Sequence, residues 1–236
     1  QGLYTEKTMA CVTEALGMSL PGCAASLAIS AEKERIAYKS GERVVELVRK
    51  GVTTKKIMTR EAFDNAILID MTLGGSTNTC LHIPAIAHEV GIDIELDRFD
   101  EISRKVPQIT NLRPGGEHFM EDLFYAGGIP AAMKRLEDVI NDCETVSGFS
   151  TKEIAKQAIV YDDDIIRTKE NAYSKEGGIA VLHGNIALDG AVIKQSALSD
   201  DMMFFKGPAK VFGSEEDAMK AIMNKKISKG SVMVIR

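Results

Sequence analysis

Apolar residues recur at intervals of three and four along the first 160 residues, a spacing that predicts amphipathic α-helices. Glycines and caps mark where these helices end, and Thr59 is a good N-cap for the third of them because its hydroxyl can accept an orphan amide. The second helix contains Ser40-Gly41, a candidate break. The predicted helices cover residues 8–16, 24–50, 60–73, 76–87, 99–105, 118–125 and 129–140.

Strand patterns are scarce in this first part and frequent after residue 160. Residues 92–96 alternate between apolar and acidic side chains, which is typical of a half-buried strand, and residues 109–112 form a short β-prone run. Asp189-Gly190 is a hairpin-type turn signal, and Ser214 is expected to cap a helix that runs to Met223. Further strands are predicted at residues 179–182, 191–193, 209–212 and 232–235.

The change from helix patterns to strand patterns along the chain suggests two domains of an α/β protein. A polar stretch from Tyr161 to Gly178 separates the helix-rich part from the strand-rich part, so the predicted domains are residues 1–173 and 174–236. Gln1 is not an initiator Met, and Arg236 follows directly on a strand-like run. We therefore expect the chain to be an internal piece of a longer protein.

Composition narrows the classes of partner. Hydrophobic residues make up 44% of the 236 residues, enough for a core, and the net charge of -5 offers no basic surface to nucleic acid or anionic lipid. The apolar runs are far shorter than the roughly 20 residues of a membrane span. The expected compartment is the cytoplasm, without nucleic-acid or membrane partners.

The four cysteines, Cys11, Cys23, Cys80 and Cys143, are far apart and form no CxxC pair. This spacing matches neither a zinc site nor a dense disulfide framework, so we expect reduced thiols. Cys11 and Cys80 lie within helical apolar patterns and are expected to be buried as small core residues. None is a candidate nucleophile.

The segment Gly74-Gly75-Ser76-Thr77-Asn78-Thr79 is the best local candidate for a binding site. Two glycines allow close approach of a ligand, and a serine with free amides at a helix start can hold a carboxylate or phosphate. The alternative is a tight turn between two helices with Ser76 as the N-cap of the second. The pattern alone leaves both interpretations open.

Other polar groups are weaker candidates. His82 and His88 are six residues apart, which does not place them on one helix face as a zinc pair requires. His118 and His183 are isolated, and the consecutive acids at 162–164 are more typical of a solvated linker than of a metal site. The residues by themselves therefore reveal no complete catalytic set.

Several motifs in order resemble the dihydroxy-acid dehydratase family, and the resemblance extends over nearly the whole chain. The related 6-phosphogluconate and sugar-acid dehydratases share the general plan, while the opening segment resembles the dihydroxy-acid branch more closely. The motifs are QGLYT at 1–5, TEALGMSLPG at 13–22, GGSTN at 74–78, MEDL at 120–123, AGGIP at 126–130, EGGIAVL at 176–182 and GNIALDGAVIK at 184–194.

The resemblance implies an intact enzyme that binds an iron–sulfur cluster through three cysteines, with Mg2+ beside it. Such an enzyme removes water from a 2,3-dihydroxy acid and yields a 2-keto acid in branched-chain amino-acid biosynthesis. It also implies a homodimer. In this scheme residues 1–173 belong to a helix-rich α/β catalytic domain, and residues 174–236 are the first part of a β-barrel-like swivelling domain.

When the family's functional residues are transferred one position at a time, this chain contains residues that line the pocket but no catalytic or metal-binding residue. Gly2 and Thr5 correspond to the loop beside the cluster, and Gly75, Ser76, Thr77 and Asn78 to the substrate pocket. Glu6-Lys7 depart from the Ala-Asn that is typical of the family.

The family's cluster ligands, metal-binding acids and serine base match no residue here. The chain alone is therefore expected to be inactive and to bind neither cofactor. The competing hypotheses are a sugar-acid dehydratase of the same family and a non-catalytic folding or dimerisation unit.

Overall fold

The computed structural model describes the backbone of residues 1–236 and every side chain except that of residue 200. The chain forms two compact units, residues 1–197 and residues 198–236. Helices account for 43% of the residues and strands for 10%, which confirms a helix-rich α/β chain. None of the described helices is both long and apolar enough to cross a membrane.

The elements of the first unit are mostly short helices, followed by one hairpin. The helices are α1 (Thr5–Ala15), α2 (Ala31–Arg49), α3 (Thr54–Ile57), α4 (Arg60–Leu73), α5 (Thr79–Glu89), α6 (Asp97–Ser103), α7 (Met120–Tyr125), α8 (Gly128–Arg135) and α9 (Thr151–Gln157). Strands β1 (Ala180–Gly184) and β2 (Ala187–Ile193) form an antiparallel pair in which Leu182 faces Ala191.

Helix α4 is the centre of this unit. It is apolar around most of its circumference, and a helix of that kind is stable only when other elements cover every face. Helices α1, α5, α6 and α8 pack against it. Its buried residues run almost without interruption from Ala62 to Leu73, and Phe63, Ile67, Ile69 and Met71 are at most 1% exposed.

The C-terminal end of α4 is buried, so its last carbonyls need donors from inside the protein. The amide of Gly178 donates to Met71 O (2.8 Å) and the amide of Ile109 to Thr72 O (3.0 Å). The hydroxyl of Thr110 donates to Leu73 O (3.0 Å). Two segments remote in sequence, residues 109–110 and Gly178, therefore meet at the end of one helix.

Several helix predictions are confirmed. Thr59 caps α4, since its Oγ1 accepts the amide of Ala62 at 3.3 Å, and α4 ends at Gly74, which has the left-handed backbone (φ 67°) that favours glycine. The break between α7 and α8 falls at the expected glycines: Gly127 precedes α8 and Gly128 begins it, both with positive φ.

Other helix predictions need correction. Helix α2 begins at Ala31 rather than at residue 24, because Ser30 caps it by accepting the amide of Lys33 (3.2 Å). It then runs through Ser40-Gly41 without a break, and the Ser40 hydroxyl bonds back to Ile36 O at 2.8 Å. Helix α8 ends at Arg135, before the predicted residue 140.

The strands predicted at residues 92–96 and 109–112 are wrong. Residues 92–96 form a loop: Ile94 is buried and Asp93 exposed, as the alternation implied, but no neighbouring described segment pairs with the loop as a strand. The backbone of residues 109–112 does not pair as a strand. The Ile109 amide donates to Thr72 O at the end of α4, and the Ile109 carbonyl accepts the amide of Arg167. Alternation reports burial, whereas a strand also requires a partner.

The hairpin is confirmed, but its turn was misplaced. β1 and β2 are joined at Asn185-Ile186, and Asp189-Gly190 lies inside β2. Gly190 has φ +94°, and a Cβ there would lie 2.8 Å from Cδ2 of Leu96. A close contact with the loop before α6, rather than a turn, explains this glycine.

The second unit is a small β-α-β arrangement. Strands β3 (Ala209–Phe212) and β4 (Val232–Ile235) pair in parallel, with α10 (Glu215–Met223) as the crossover. Ser214 caps α10 by accepting the amide of Asp217 at 3.2 Å, as predicted. The barrel-like domain and the domain boundary after residue 173 stay predictions.

We expect Gly178→Ala to destabilise the chain by about 1 to 3 kcal/mol, because its Cβ would overlap the Gly74 backbone at the end of α4. Gly41→Ala is the matched control: nothing lies within 4 Å of its Cβ position in α2, so it should be neutral or stabilise by up to about 1 kcal/mol. Urea unfolding of both variants measures the difference. Equal midpoints for the two variants would contradict this account of the packing.

Candidate functional site

The two segments predicted to line a pocket meet in the structure. The hydroxyls of Thr5 and Ser76 are 3.1 Å apart, and Asn78 Nδ2 donates to Thr5 Oγ1 at 2.7 Å. Thr5 and Ser76 are half-buried and Asn78 is exposed. The start of α1 and the loop after α4 therefore share one polar surface, which we call the Thr5–Asn78 cluster (Thr5, Ser76 and Asn78).

Two helices of eleven residues begin at this cluster, α1 at Thr5 and α5 at Thr79. The N-terminal end of a helix carries a partial positive charge. The first amides of α5 are already occupied, since those of Thr79 and Cys80 donate to the carbonyls of Ser76 and Thr77, so α5 contributes this charge rather than free donors. Together with neutral hydroxyl and amide groups, such ends complement a carboxylate or a phosphate.

Ser76 does not cap α5, which corrects the alternative interpretation of this loop. Helix α5 begins three residues later, with Asn78 at its N-cap position. Ser76 Oγ accepts the amide of Asn78 (3.3 Å), and Ser76 O accepts the amide of Thr79 (3.0 Å) and lies 2.7 Å from the Thr79 hydroxyl oxygen. These contacts form a turn that holds the Ser76 hydroxyl beside Thr5.

The glycines at the two segments are explained by packing. A Cβ at Gly75 would overlap Asp70 Oδ1 and lie 2.7 Å from Cγ2 of Thr8. A Cβ at Gly2 would lie 2.5 Å from the Arg113 carbonyl oxygen. Thr77 contributes its backbone, since its carbonyl accepts the amide of Cys80 at 3.2 Å.

A buried carboxyl group lies directly beneath the loop. Asp70, near the end of α4, is 0% exposed; its Oδ2 accepts the Thr79 hydroxyl, while its Oδ1 has no hydrogen-bond partner among the described residues. Burial raises the pKa of Asp70 to about 7, against the opposing effects of the Thr79 hydroxyl, the Ser76 amide and the charge of Lys194.

A second buried carboxyl group serves a turn elsewhere. Glu14 in α1 accepts the amides of Gly22 (2.6 Å) and Ala24 (2.8 Å), and burial raises its pKa to about 7. Both of its oxygens are therefore used to hold the chain between α1 and α2. We give Glu14 a structural role.

The thiols have the character of core residues. All four cysteines are free; Cys11 and Cys143 are buried, and Cys23 and Cys80 are partly exposed, so the expected full burial of Cys80 is only partly met. Burial raises the pKa of Cys11, and it raises that of Cys80 to about 12. Protonated thiols of this kind are poor nucleophiles and poor metal ligands.

The residues present do not fit an iron–sulfur cluster or Mg2+. Across residues 1–236, with residue 200 set aside, no three His, Cys, Asp or Glu side chains form a group that could hold a metal ion. The acids at 162–164 have local roles: Asp163 pairs with Arg135, and Asp162 Oδ1 accepts the amide of Asp164 at 2.8 Å. We derive no chemical step through either cofactor, and the expectation that the chain alone binds none stays a prediction.

Sequence reasoning did not single out Asp70. The signal was present, because Asp70 is the one charged residue between Ala66 and Leu73 in a stretch that is otherwise almost wholly apolar. An acid at such a position must be buried with its helix, and a buried acid requires compensating contacts.

Comparison with known families defines the class of protein. The N-terminal model of the dihydroxy-acid/6-phosphogluconate dehydratases matches residues 1–154, and the C-terminal model matches residues 164–236. The chain belongs to the dihydroxy-acid/6-phosphogluconate dehydratase family, which confirms the resemblance seen in its motifs.

Within that family, similar relatives carry the name dihydroxy-acid dehydratase. The chain is 59% identical over 236 residues to the protein of Thermodesulfovibrio yellowstonii, 56% identical to that of Endomicrobium trichonymphae, and 52% identical over 237 residues to that of Methanothermobacter thermautotrophicus. All of this chain is matched in each case. It spans 43% of each relative's length.

We expect the free energy of unfolding to fall as the pH rises from about 4 to about 7 and to level off above. Asp70 and Glu14 keep their protons up to about pH 7 when folded, against ordinary values of 3.8 and 4.5, so the folded state binds more protons in this window. Asp70→Asn should reduce the slope, and Asp70→Asn with Glu14→Gln should reduce it further. Urea unfolding from pH 4.5 to 8 measures it.

The control is Glu34→Gln, which changes an exposed acid of α2 and should leave the slope as it is. A slope that Asp70→Asn leaves unchanged would show that this carboxyl group titrates alike in the folded and unfolded chain.

Proposed function

We propose that the intact protein is a hydro-lyase that converts a 2,3-dihydroxy carboxylic acid to a 2-keto acid. The observation that carries the proposal is the match of the whole chain, at 52 to 59% identity, to relatives named dihydroxy-acid dehydratase. The reaction removes a proton from C2 and the hydroxyl from C3, and the resulting enol tautomerises to the 2-keto acid. We place this reaction in branched-chain amino-acid biosynthesis.

In this proposal the Thr5–Asn78 cluster orients the substrate. Its hydroxyl and amide groups can donate to a carboxylate or accept from a hydroxyl, and the two helix starts favour the negative end of the molecule. Thr5 and Ser76 have no adjacent general base in the described contacts: each hydroxyl bonds to the other, to Asn78 or to the backbone. The cluster therefore holds the substrate, and other groups transfer the proton.

The proposal extends to the rest of the protein. We propose that the intact enzyme carries an iron–sulfur cluster and Mg2+, held by residues in the part of the relatives that this chain does not span. When bound, these Lewis acids would stabilise the leaving hydroxyl and the developing negative charge. We also propose a cytoplasmic homodimer acting on a small molecule, with a β-barrel-like swivelling domain that begins near residue 174.

A sugar-acid dehydratase is the second candidate function, because the matched family models name 6-phosphogluconate dehydratases beside the dihydroxy-acid enzymes. A sugar acid presents several additional hydroxyls, and a phosphorylated one adds two negative charges. A non-catalytic folding or dimerisation unit is the third, and it concerns the 236-residue chain by itself.

Turnover separates the first two candidates. We expect the intact protein to dehydrate 2,3-dihydroxy-3-methylbutanoate with a kcat/KM at least about 100-fold above that for 6-phosphogluconate or an aldonate, since unmatched polar groups in a pocket are costly. Formation of the 2-keto acid is measured by trapping it as a hydrazone. Preference for a sugar acid would favour the second candidate function, and turnover of neither substrate class by the intact protein would contradict both of the first two candidates.

Ser76→Ala in the intact protein should weaken substrate binding by about 1 to 3 kcal/mol, the cost of leaving a charged acceptor without its hydrogen bond. The matched control is Ser40→Ala, which removes an exposed hydroxyl from α2. Both variants are compared through KM and the dissociation constant of the 2-keto acid product. Unchanged values for Ser76→Ala would reduce Ser76 to a residue that shapes the turn.

A further inference from the structure

Helix α2 is the longest of the described helices, and nearly all of it is exposed. Of its 19 residues only Ile36 is buried. No other described helix or strand packs extensively against it. This is unusual, because a helix in a folded protein owes most of its stability to an apolar face that another element covers.

Three residues define the side of α2 that faces its own chain. Ile36 is buried, Leu47 is half-buried, and Arg43 Nε donates to Val146 O at 2.5 Å. These residues are seven and four positions apart, so they lie on one side of the helix. The opposite side of α2 therefore points away from the described chain.

That opposite side carries a contiguous set of apolar residues, which we call the α2 stripe. Its tyrosine and three valines are between 48% and 76% exposed, and nothing lies within 4 Å of the Cβ position of its glycine. Scattered apolar side chains are common on protein surfaces, but a contiguous apolar patch is typical of a protein–protein contact. The α2 stripe consists of Ala37, Tyr38, Gly41, Val44, Val45 and Val48.

The central residues of the α2 stripe have the spacing of two helices that pack side by side. Ala37, Gly41, Val44 and Val48 are separated by four, three and four positions, as the a and d residues of a heptad are. The small residues occupy the N-terminal half of this series and the valines the C-terminal half. A second, antiparallel α2 therefore places Val44 against Gly41 and Val48 against Ala37, which packs large side chains against small ones.

The charges at the two ends of α2 match in the same arrangement. Glu34 in the first turn comes close to Arg49 in the last turn of the second copy; both residues are exposed, and the described salt bridges of α2 use other residues. A parallel arrangement would bring Glu34 against Glu34 and valine against valine. Charge complementarity of this kind favours one orientation more than it adds affinity.

We propose that the α2 stripe is a surface through which the intact protein binds a second copy of itself, with the two α2 helices antiparallel. In a twofold contact residue i of one copy meets residue j of the other, and j meets i, so the surface must be complementary to itself. The α2 stripe meets this condition in size and in charge. A surface that binds a different partner, or another part of the same chain, has no need of it.

The inference rests on the homodimer that the proposed function includes, and it adds the surface and the orientation. Its tests use the intact protein and measure association rather than turnover. A dimer formed through another surface would contradict this inference and leave the proposed reaction untouched. Turnover of the dihydroxy acid is measured separately, so the two can fail separately.

Gly41→Arg in the intact protein tests the surface. The new side chain enters open space in the chain itself and replaces a glycine inside a helix, so folding should persist, but the arginine occupies the place of Val44 of the second copy. We expect the dissociation constant of the dimer to rise at least about 100-fold in analytical ultracentrifugation. Glu42→Arg is the matched control, because it introduces the same side chain at an exposed position outside the α2 stripe.

Paired cysteines test the orientation. In the antiparallel arrangement residue 37 of one copy lies beside residue 48 of the other, whereas the two copies of residue 37 are about 16 Å apart along the helix axis. Ala37→Cys combined with Val48→Cys should therefore form covalent dimers under mild oxidation, and each single variant should form no more than the wild type. Non-reducing electrophoresis of the intact protein measures both.

A monomeric Gly41→Arg protein with the wild-type circular-dichroism spectrum, and cross-linking of the double cysteine variant alone, would support the proposal. A monomeric wild type, an unchanged dissociation constant for Gly41→Arg, or cross-linking in a single variant would overturn it. Absence of cross-linking in the double variant would do the same. Loss of the native spectrum in Gly41→Arg would show that the intact chain itself covers the α2 stripe, which also overturns the proposal.

Discussion

The burial of α4 on every side is the constraint on which the rest of the first unit depends. A helix end in the interior cannot leave its carbonyls to water, so the chain must bring donors to it. Ile109, Thr110 and Gly178 supply them. The loop that follows α4 is therefore placed by hydrogen bonds made to the helix, before any ligand is considered.

The same burial explains the chemistry of Asp70. An acid on a fully covered helix pays a desolvation cost that raises its pKa, and the fold offsets part of that cost with the Thr79 hydroxyl, the Ser76 amide and the distant charge of Lys194. Each of these groups belongs to the loop or to the segment above it. A residue with this combination of burial and specific partners is typical of functional sites, although stable ion-pair networks show it too.

The sequence was informative where structure is local. Periodicity, caps and glycines were sufficient for α4, α10 and the break between α7 and α8, because each depends on residues within one or two turns. The strands predicted at 92–96 and 109–112 failed because pairing depends on a neighbour that the segment itself does not specify. Asp189-Gly190 failed similarly, since a contact with Leu96 imposes the backbone of Gly190.

The candidate site, too, could be predicted from the sequence only where its residues form a local motif. The motif at 74–78 was recognisable from its glycines and serine, and Thr5 came from the family resemblance; their hydrogen bonds join residues 71 and 73 positions apart, which no local pattern contains. Lys194, whose charge lowers the pKa of Asp70, lies still farther from it in the sequence.

What the chain contributes follows from the chemistry of these groups. Neutral hydroxyls and amides orient an anion without exchanging protons near neutral pH, and they do not compete for a divalent metal as carboxylates do. A pocket surface made of such groups can orient a substrate, while ionisable residues and metal ions act on the opposite side of the substrate. The buried carboxyl group of Asp70 lies beneath this loop and is joined to it through the Thr79 hydroxyl.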